Sequence, residues 1–397
     1  MMSFSRRVGA MRRPWLMVAV LVSAIALMLA VTTALSSNKA HAEGSRDTLR
    51  PGCTWDAAAY WVQKCTVHSN AMNKDIPVQI QAANGNGNAG LYILGGFAGP
   101  TNSSGWIDWA HAQNIFVDDN ITKVFPLGGK ASFYTDWEKP STSADGTQTY
   151  KWDTFLSSEL PAYLQANFGV SPTNNAVAGM SMGGTGAMNL AAHHPNQFRQ
   201  VSSFSGYLAT SNPIMRMGIA GAMLGNGGYR IDQMWTGDRI RQNDPTKNAA
   251  AYRNTDVYIS AATGWWNPQD DFFANPVYSV SVMGMEAVSR VTTTQFEGAL
   301  RAQGINPTID YPLAGVHNWT NWREELIKVR PRILQATQSA AGQGVPEGDK
   351  PLTGDPGSRS ATVPGVRGDD VSPAAQNDAA ATGGDVQRAV DNSHQDQ

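Results

Sequence analysis

Residues 175–194 read NAVAGMSMGGTGAMNLAAHH, and this stretch decides the fold. Its first part, Asn175–Met180, is a short apolar run of the kind buried in a sheet. From Met182 to Ala192 small residues continue at a length that suits a helix. Between the two sits Gly179-Met180-Ser181-Met182-Gly183. A strand that turns abruptly into a helix holds the residue at the turn in a strained conformation, and only small neighbours let the turn close. The serine then stands at a helix N-terminus, where backbone N–H groups favour negative charge. Ser181 is therefore the candidate nucleophile. The plain alternative is an ordinary Gly/Ser turn, and the surroundings weigh against it.

Working outward, Ile76–Ala83 and Gly90–Leu94 read as a strand pair joined by the turn-rich residues 84–88. Ile121–Leu127 is a further apolar run. Thr154–Phe168 has helical spacing, with Pro161 marking a kink or a later start. Val201–Phe204 and Asp256–Ala262 read as strands, Thr292–Gln303 as a helix, Thr308–Pro312 as the last strand and Trp319–Gln335 as the closing helix. Strands alternating with helices predict an α/β protein with a mostly parallel central sheet covered on both faces. With the glycine-flanked serine between strand and helix, this is the α/β-hydrolase fold.

Neither end of the chain belongs to that fold. Arg6, Arg7, Arg12 and Arg13 precede an apolar run from Trp15 to Leu35, and Ala40-His41-Ala42 follows. These are the parts of a secretory signal over residues 1–42, with an uncleaved membrane anchor as the rival; both place the remainder outside the cytoplasm. Residues 339–397 contain no Trp, Tyr or Phe and read as a disordered tail, because they cannot bury enough apolar surface to offset the entropy of ordering. Residues 43–338 remain as one large α/β domain. A net charge of −2 across 397 residues, with no basic cluster beyond the signal, excludes a nucleic-acid surface. The 2 cysteines, Cys53 and Cys65, lie close together outside the cytoplasm and read as a disulfide.

A serine hydroxyl needs a base, which follows the serine in the chain order of this fold. Of the 7 histidines, His41, His68 and His111 precede it. His193 and His194 lie about 12 residues along the same helix, roughly 18 Å away at ~1.5 Å per residue, and read as covering the helix end. His394 is in the tail. His317, in the loop after the last strand, is left as the base. The acid that orients it is open on residue chemistry alone: Asp232, Asp238, Asp244, Asp256, Asp270, Asp271, Glu286, Glu297 and Asp310 all lie between. Position favours Asp270 or Asp271, in the loop after the Asp256–Ala262 strand. An oxyanion hole needs two N–H donors. Met182, directly after the serine, supplies one; Phe97, in Gly95-Gly96-Phe97 after an early strand, supplies the other, with the glycines permitting close approach. Gly96 and its neighbours then face the substrate. No metal or cofactor is expected, since no Cys/His set has ligand spacing and serine chemistry requires none.

Several further blocks carry a resemblance. They are Phe133-Tyr134-Thr135-Asp136-Trp137, Gln148-Thr149-Tyr150-Lys151-Trp152, Ser158-Glu159-Leu160-Pro161 and His194-Pro195-Asn196-Gln197-Phe198. Gly227-Gly228-Tyr229, Gln242-Asn243-Asp244-Pro245 and His317-Asn318-Trp319 follow in order. In these the chain resembles the actinobacterial mycolyltransferases, the antigen 85 family, from about Leu91 to Trp322. The resemblance implies transfer of a long mycoloyl chain from a trehalose monoester to another hydroxyl, such as a second trehalose ester or a cell-wall sugar. It also implies association with the cell envelope. For the acid it selects a glutamate shortly before an arginine in the penultimate helix, matched here by Glu297 with Arg301. Trp319 matches a tryptophan beside the family's histidine and substrate. The chain departs where the family contacts sugar: Gly95-Gly96-Phe97-Ala98 replaces an Asp-Gly-Leu-Arg loop, and Ala209 replaces a further aspartate. The family's internal cysteine pair gives way to Ser141–Gly146. The rival readings are a secreted carboxylesterase with the same residues and an envelope-binding protein with an idle site. The apolar stretch Ile214–Leu224 reads as acyl-chain lining or as core packing.

Overall fold

The computed structural model describes residues 46–58, 60–266 and 276–342. The signal over residues 1–42, Asp270, Asp271 and nearly all of the tail lie outside the described residues. Among the described residues eleven strands run in chain order: β1 (Cys53–Trp55), β2 (Val62–Ser69), β3 (Lys74–Gln81), β4 (Gly90–Leu94), β5 (Thr122–Pro126), β6 (Ser141–Ser143), β7 (Gly146–Gln148), β8 (Asn175–Met180), β9 (Phe198–Phe204), β10 (Asp256–Ser260) and β11 (Thr308–Asp310). The longer helices are α1 (Leu160–Phe168), α2 (Met182–His193), α3 (Pro213–Gly225), α4 (Pro276–Ala302) and α5 (Trp319–Ala336).

Nine strands form one sheet in the order β1-β2-β3-β5-β4-β8-β9-β10-β11, while β6 and β7 pair as a separate hairpin. From β5 through β11 every pairing in the sheet is parallel. The β1, β2 and β3 side is antiparallel, and β3 meets β5 antiparallel. The expected pairing of Ile76–Ala83 with Gly90–Leu94 is therefore corrected. Strand β5 lies between them, because the chain leaves β4, crosses the sheet and returns beside it. A turn-rich link cannot reveal such an insertion from a strand distant in sequence.

The middle strands are buried on both faces, and their alternation divides the core. On β4, Tyr92 and Leu94 join one apolar cluster with Val177 of β8, Met188 and Leu190 of α2 and Phe296 of α4. Leu91 and Ile93 join the opposite cluster with Ala176 and Ala178 of β8 and Leu326, Val329 and Ile333 of α5. That period of two is the geometry of a strand, and it sets α2 and α5 on opposite sides of the sheet. The helix expected over Thr154–Phe168 begins as a turn at Trp152–Thr154, passes through a π-helical turn at Phe155–Glu159 and becomes α1. Pro161 thus falls at the second position of α1, directly after the π-helical turn.

Helix α4 begins well before the expected Thr292. Its early residues alternate valine with serine and glycine, a pattern closer to a strand than to a helix. The packing is also inverted there: Ser279, Glu286 and Ser289 are buried, whereas Val277, Val280, Val288 and Val291 are exposed.

Candidate active site

Ser181 joins β8 to α2 with φ 54° and ψ −124°. For a residue with a side chain this conformation costs roughly 1–3 kcal/mol and persists only where packing imposes it. The flanking glycines show what imposes it. A Cβ on Gly179 would stand 2.2 Å from the Gly183 carbonyl oxygen, and one on Gly183 would stand 2.3 Å from that of Gly95 and 2.5 Å from that of Leu94. Gly179 therefore lets the turn close, and Gly183 lets α2 press against the end of β4. The Ser181 N–H donates to Phe204 O at 2.9 Å, which ties the turn to β9.

His317 sits in the loop between β11 and α5. Its N–H donates to Val282 O of α4 at 3.2 Å, and Gly264, in the segment after β10, donates its N–H to Gly315 O of the same loop at 3.1 Å. The Asn321 amide donates to Val316 O, closing the loop onto α5. Around the ring, Trp322 stands edge-on with centroids 5.0 Å apart and Tyr207 stacks at 6.0 Å. Burial, followed by the nearby Glu286 carboxylate, pushes the Tyr207 hydroxyl well above its ordinary value, while a hydrogen bond with Ser181 pulls the other way. Tyr207 thus touches both Ser181 and His317 and brings the two into one neighbourhood.

The carboxylate on the imidazole is Glu286, not Glu297. Its Oε2 lies 2.9 Å from His317 Nδ1. Its Oε1 accepts from Ser205 Oγ at 2.9 Å and from the Ala262 N–H at 2.7 Å. Ser205 Oγ in turn accepts from Trp322 Nε1 at 3.0 Å. Glu286 is 1% exposed and His317 is 5% exposed, so the pair is dry. Glu297 is elsewhere, accepting from Arg301 Nε at 2.7 Å and from the Tyr311 hydroxyl at 2.9 Å. The correction has a geometric cause. Eleven residues separate the two glutamates, about three turns at 3.6 residues per turn, so both occupy one face of α4. Each is also followed four positions later by an arginine, Arg290 or Arg301. Local pattern cannot separate them; only the placement of the histidine loop does. His317 Nε2, on the far side of the ring from Glu286, is buried with no hydrogen-bond partner among the described residues.

The expected oxyanion donors lie at the elbow and beside it. Met182 is the first residue of α2, so its N–H has no acceptor within the helix. Phe97 packs edge-to-face on Phe133 at 6.3 Å, and its carbonyl accepts from the Ala131 N–H. A Cβ on Gly96 would stand 2.7 Å from Met180 Cε, which puts this loop against the residue before the serine. Trp319 is one ring further out than expected: it packs on Trp322 at 5.1 Å and on Trp106 at 5.5 Å, and Trp322 is the tryptophan at His317. Sequence reasoning also passed over Ser205 and Tyr207, just beyond the end of β9. Their one available signal was adjacency of β9 to β8, which makes their strand ends neighbours of Ser181. Cys53 and Cys65 are joined by a disulfide between β1 and β2.

The family described as putative esterase matches residues 69–333. The diacylglycerol acyltransferase/mycolyltransferase Ag85A of Mycobacterium leprae is 36% identical over 287 residues, 71% of this chain and 85% of that protein. Ag85B of Mycobacterium intracellulare, with the same description, is 34% identical over 289 residues, 71% of this chain and 86% of that one. Among solved structures, MPT51 of Mycobacterium tuberculosis superposes with a TM-score of 0.61 at 33% identity, covering 70% of this chain and 98% of that chain. An S-formylglutathione hydrolase from Agrobacterium tumefaciens shares the fold, with a TM-score of 0.52 at 14% identity over 73% of this chain and 99% of that chain. The chain belongs to the putative-esterase family and, within it, to the antigen 85-like mycolyltransferases, acyl-transfer enzymes of the α/β-hydrolase fold.

Proposed function

We propose that the protein is an exported serine acyltransferase that moves a long mycoloyl-type chain from a trehalose monoester to a hydroxyl acceptor through an acyl-serine. The observation that carries this reading is the buried Glu286–His317 pair beside the strained Ser181. Glu286 fixes the hydrogen of His317 on Nδ1 and stabilises the imidazolium that forms, leaving Nε2 as the base. In the first step Ser181 Oγ attacks the ester carbonyl as its proton passes to His317 Nε2. The tetrahedral oxyanion meets the N–H groups of Met182 and Phe97. Collapse breaks the ester C–O bond, and His317 returns the proton to the departing sugar hydroxyl. The second step repeats this in reverse: His317 takes the proton of the acceptor hydroxyl, the new ester forms, and Ser181 Oγ leaves with that proton. Transfer exceeds hydrolysis when the acceptor is bound and water is kept out.

Two features support a lipid substrate used outside the cytoplasm. Helix α3 buries Met215, Ile219 and Met223 in the core but exposes Ile214, Met217 and Leu224, an apolar surface suited to an acyl chain. The Cys53–Cys65 disulfide fits an oxidising compartment, as does the basic-apolar leader over residues 1–42. The sugar-facing side is less polar than in the resembling family. Gly95-Gly96-Phe97-Ala98 and Ala209 offer no charged partner to trehalose, which favours an acceptor hydroxyl recognised by other contacts.

The test is incubation with a long-chain trehalose monoester, followed by product analysis. A trehalose diester or another acylated hydroxyl compound is expected, with an acyl group trapped on Ser181 at short times. Free acid as the sole product would assign the protein to the hydrolases. Acyl transfer undiminished in Ser181→Ala would overturn the proposed mechanism.

A further inference from the structure

At the end of α2 remote from Ser181, two consecutive histidines meet an aspartate from another part of the chain. His193 Nδ1 lies 2.7 Å from Asp153 Oδ2, and His194 Nε2 lies 2.6 Å from Asp153 Oδ1. The ligating atoms all fall within 4.8 Å of one another. His193 Nε2 lies 3.0 Å from the Gln242 carbonyl oxygen. A carbonyl only accepts, so Nε2 carries the hydrogen and a neutral ring turns the lone pair of Nδ1 toward the carboxylate. The link from Nδ1 to the carboxylate is then made either by a second ring proton, as an ion pair, or by a metal ion in its place. A histidine whose second nitrogen donates to a backbone carbonyl is also the arrangement that orients imidazoles on metals.

We propose that Asp153, His193 and His194 form a binding site for a divalent transition-metal ion of the zinc class. Two imidazoles and one carboxylate suit zinc, nickel or copper, whereas magnesium and calcium prefer all-oxygen shells. With metal–ligand distances of about 2.0–2.2 Å, the nitrogen–oxygen separations widen to about 3.3 Å, which needs only small side-chain rotations. Solvent reaches all three side chains, with exposures of 26%, 32% and 18% for His193, His194 and Asp153, so water completes the coordination. Arg239, which donates to Asp136 O at 2.8 Å, is the nearby cation that works against a dication and weakens its binding. Three separate segments meet here: the end of α2, the turn Trp152–Thr154 and the short helix Arg239–Gln242. A bound ion clamps the far end of the nucleophile's helix to its neighbours and so stabilises the folded state by mass action.

The experiment uses the full chain without a histidine tag, freed of metal by chelation. Zinc chloride is titrated by calorimetry, and thermal unfolding is followed with zinc, nickel or magnesium present. One zinc per chain is expected, with Tm raised by several degrees by zinc and nickel and unchanged by magnesium. His193→Ala and Asp153→Asn should abolish the zinc-dependent rise. His68→Ala, at an exposed His68–Asp75 pair, should retain it, and the metal-free Tm of each variant reports whether it folds. The proposal fails if zinc leaves the Tm of the unmodified protein unchanged, in which case the cluster is an ion pair only. It fails equally if the rise survives in the His193→Ala/His194→Ala double variant. The readout is stability, so the outcome is independent of which acceptor the enzyme acylates.

Discussion

Glu286 receives hydrogen bonds from Ser205 and Ala262 on one oxygen and meets His317 with the other, so its position is over-determined. Glu286→Gln keeps the volume but presents an amide to Nδ1, which favours the wrong imidazole tautomer. A fall in kcat on the order of 10³–10⁴-fold is expected, by analogy with other acid–His–Ser sites. Glu297→Gln should stay within a few-fold of the parent, since it loses only contacts to Arg301 and Tyr311. Parallel acyl-transfer kinetics on the two variants check this, and the reverse ranking would sink the assignment. The two residues are confusable because each precedes an arginine by four positions on the same face of α4, and the resemblance specifies no more than that pattern. In the early half of α4 Ser279, Glu286 and Ser289 turn inward, with Glu286 on the histidine loop, whereas Phe296 and Leu300 farther along join the apolar core.

Among elements, the β8–α2 elbow and strand β5 carry the sharpest constraints. Gly183→Ala places a methyl 2.3 Å from the Gly95 carbonyl oxygen, a backbone atom that cannot rotate away. The helix must shift, so both the Tm and the acyl-transfer rate should fall; an unchanged Tm would show that the loop after β4 yields. On β5, Lys123 is fully buried, with a 3.4 Å contact to Ala82 O. Burial pushes its ammonium down to about 7 from 10.5, with the Asp119 carboxylate opposing. Between those pH values the unfolded chain holds a proton that the folded chain has released, so stability climbs as pH rises from about 7 toward 10.5. Lys123→Met should remove that slope and raise stability at pH 7 by about 1–4 kcal/mol, because Asp119 keeps its two contacts with Arg330. Urea unfolding at pH 6.5 and 9 compares the two proteins; equal slopes would refute the burial argument.

For the whole molecule, the Cys53–Cys65 disulfide fastens β1 to β2 at the antiparallel edge, across a sequence separation of 12. A loop of this size restrains the unfolded chain by about 2–3 kcal/mol, so the Cys53→Ser/Cys65→Ser protein should unfold at lower urea with activity retained when folded. Loss of activity at full stability would instead tie that edge to the site. The sequence by itself determined the fold class, the tight strand-to-helix turn at Ser181 and the loop that carries His317. Strand periodicity, a glycine-flanked turn and chain order are local properties, readable over a few residues. It did not determine the strand order around β5, the long early half of α4, or which carboxylate reaches His317. Those were decided by the tertiary structure, because each depends on segments far apart in sequence. Ser181 itself illustrates the division. Its glycines announce a tight turn, but the turn is strained at φ 54° only because α2 is pressed against β4 and β9.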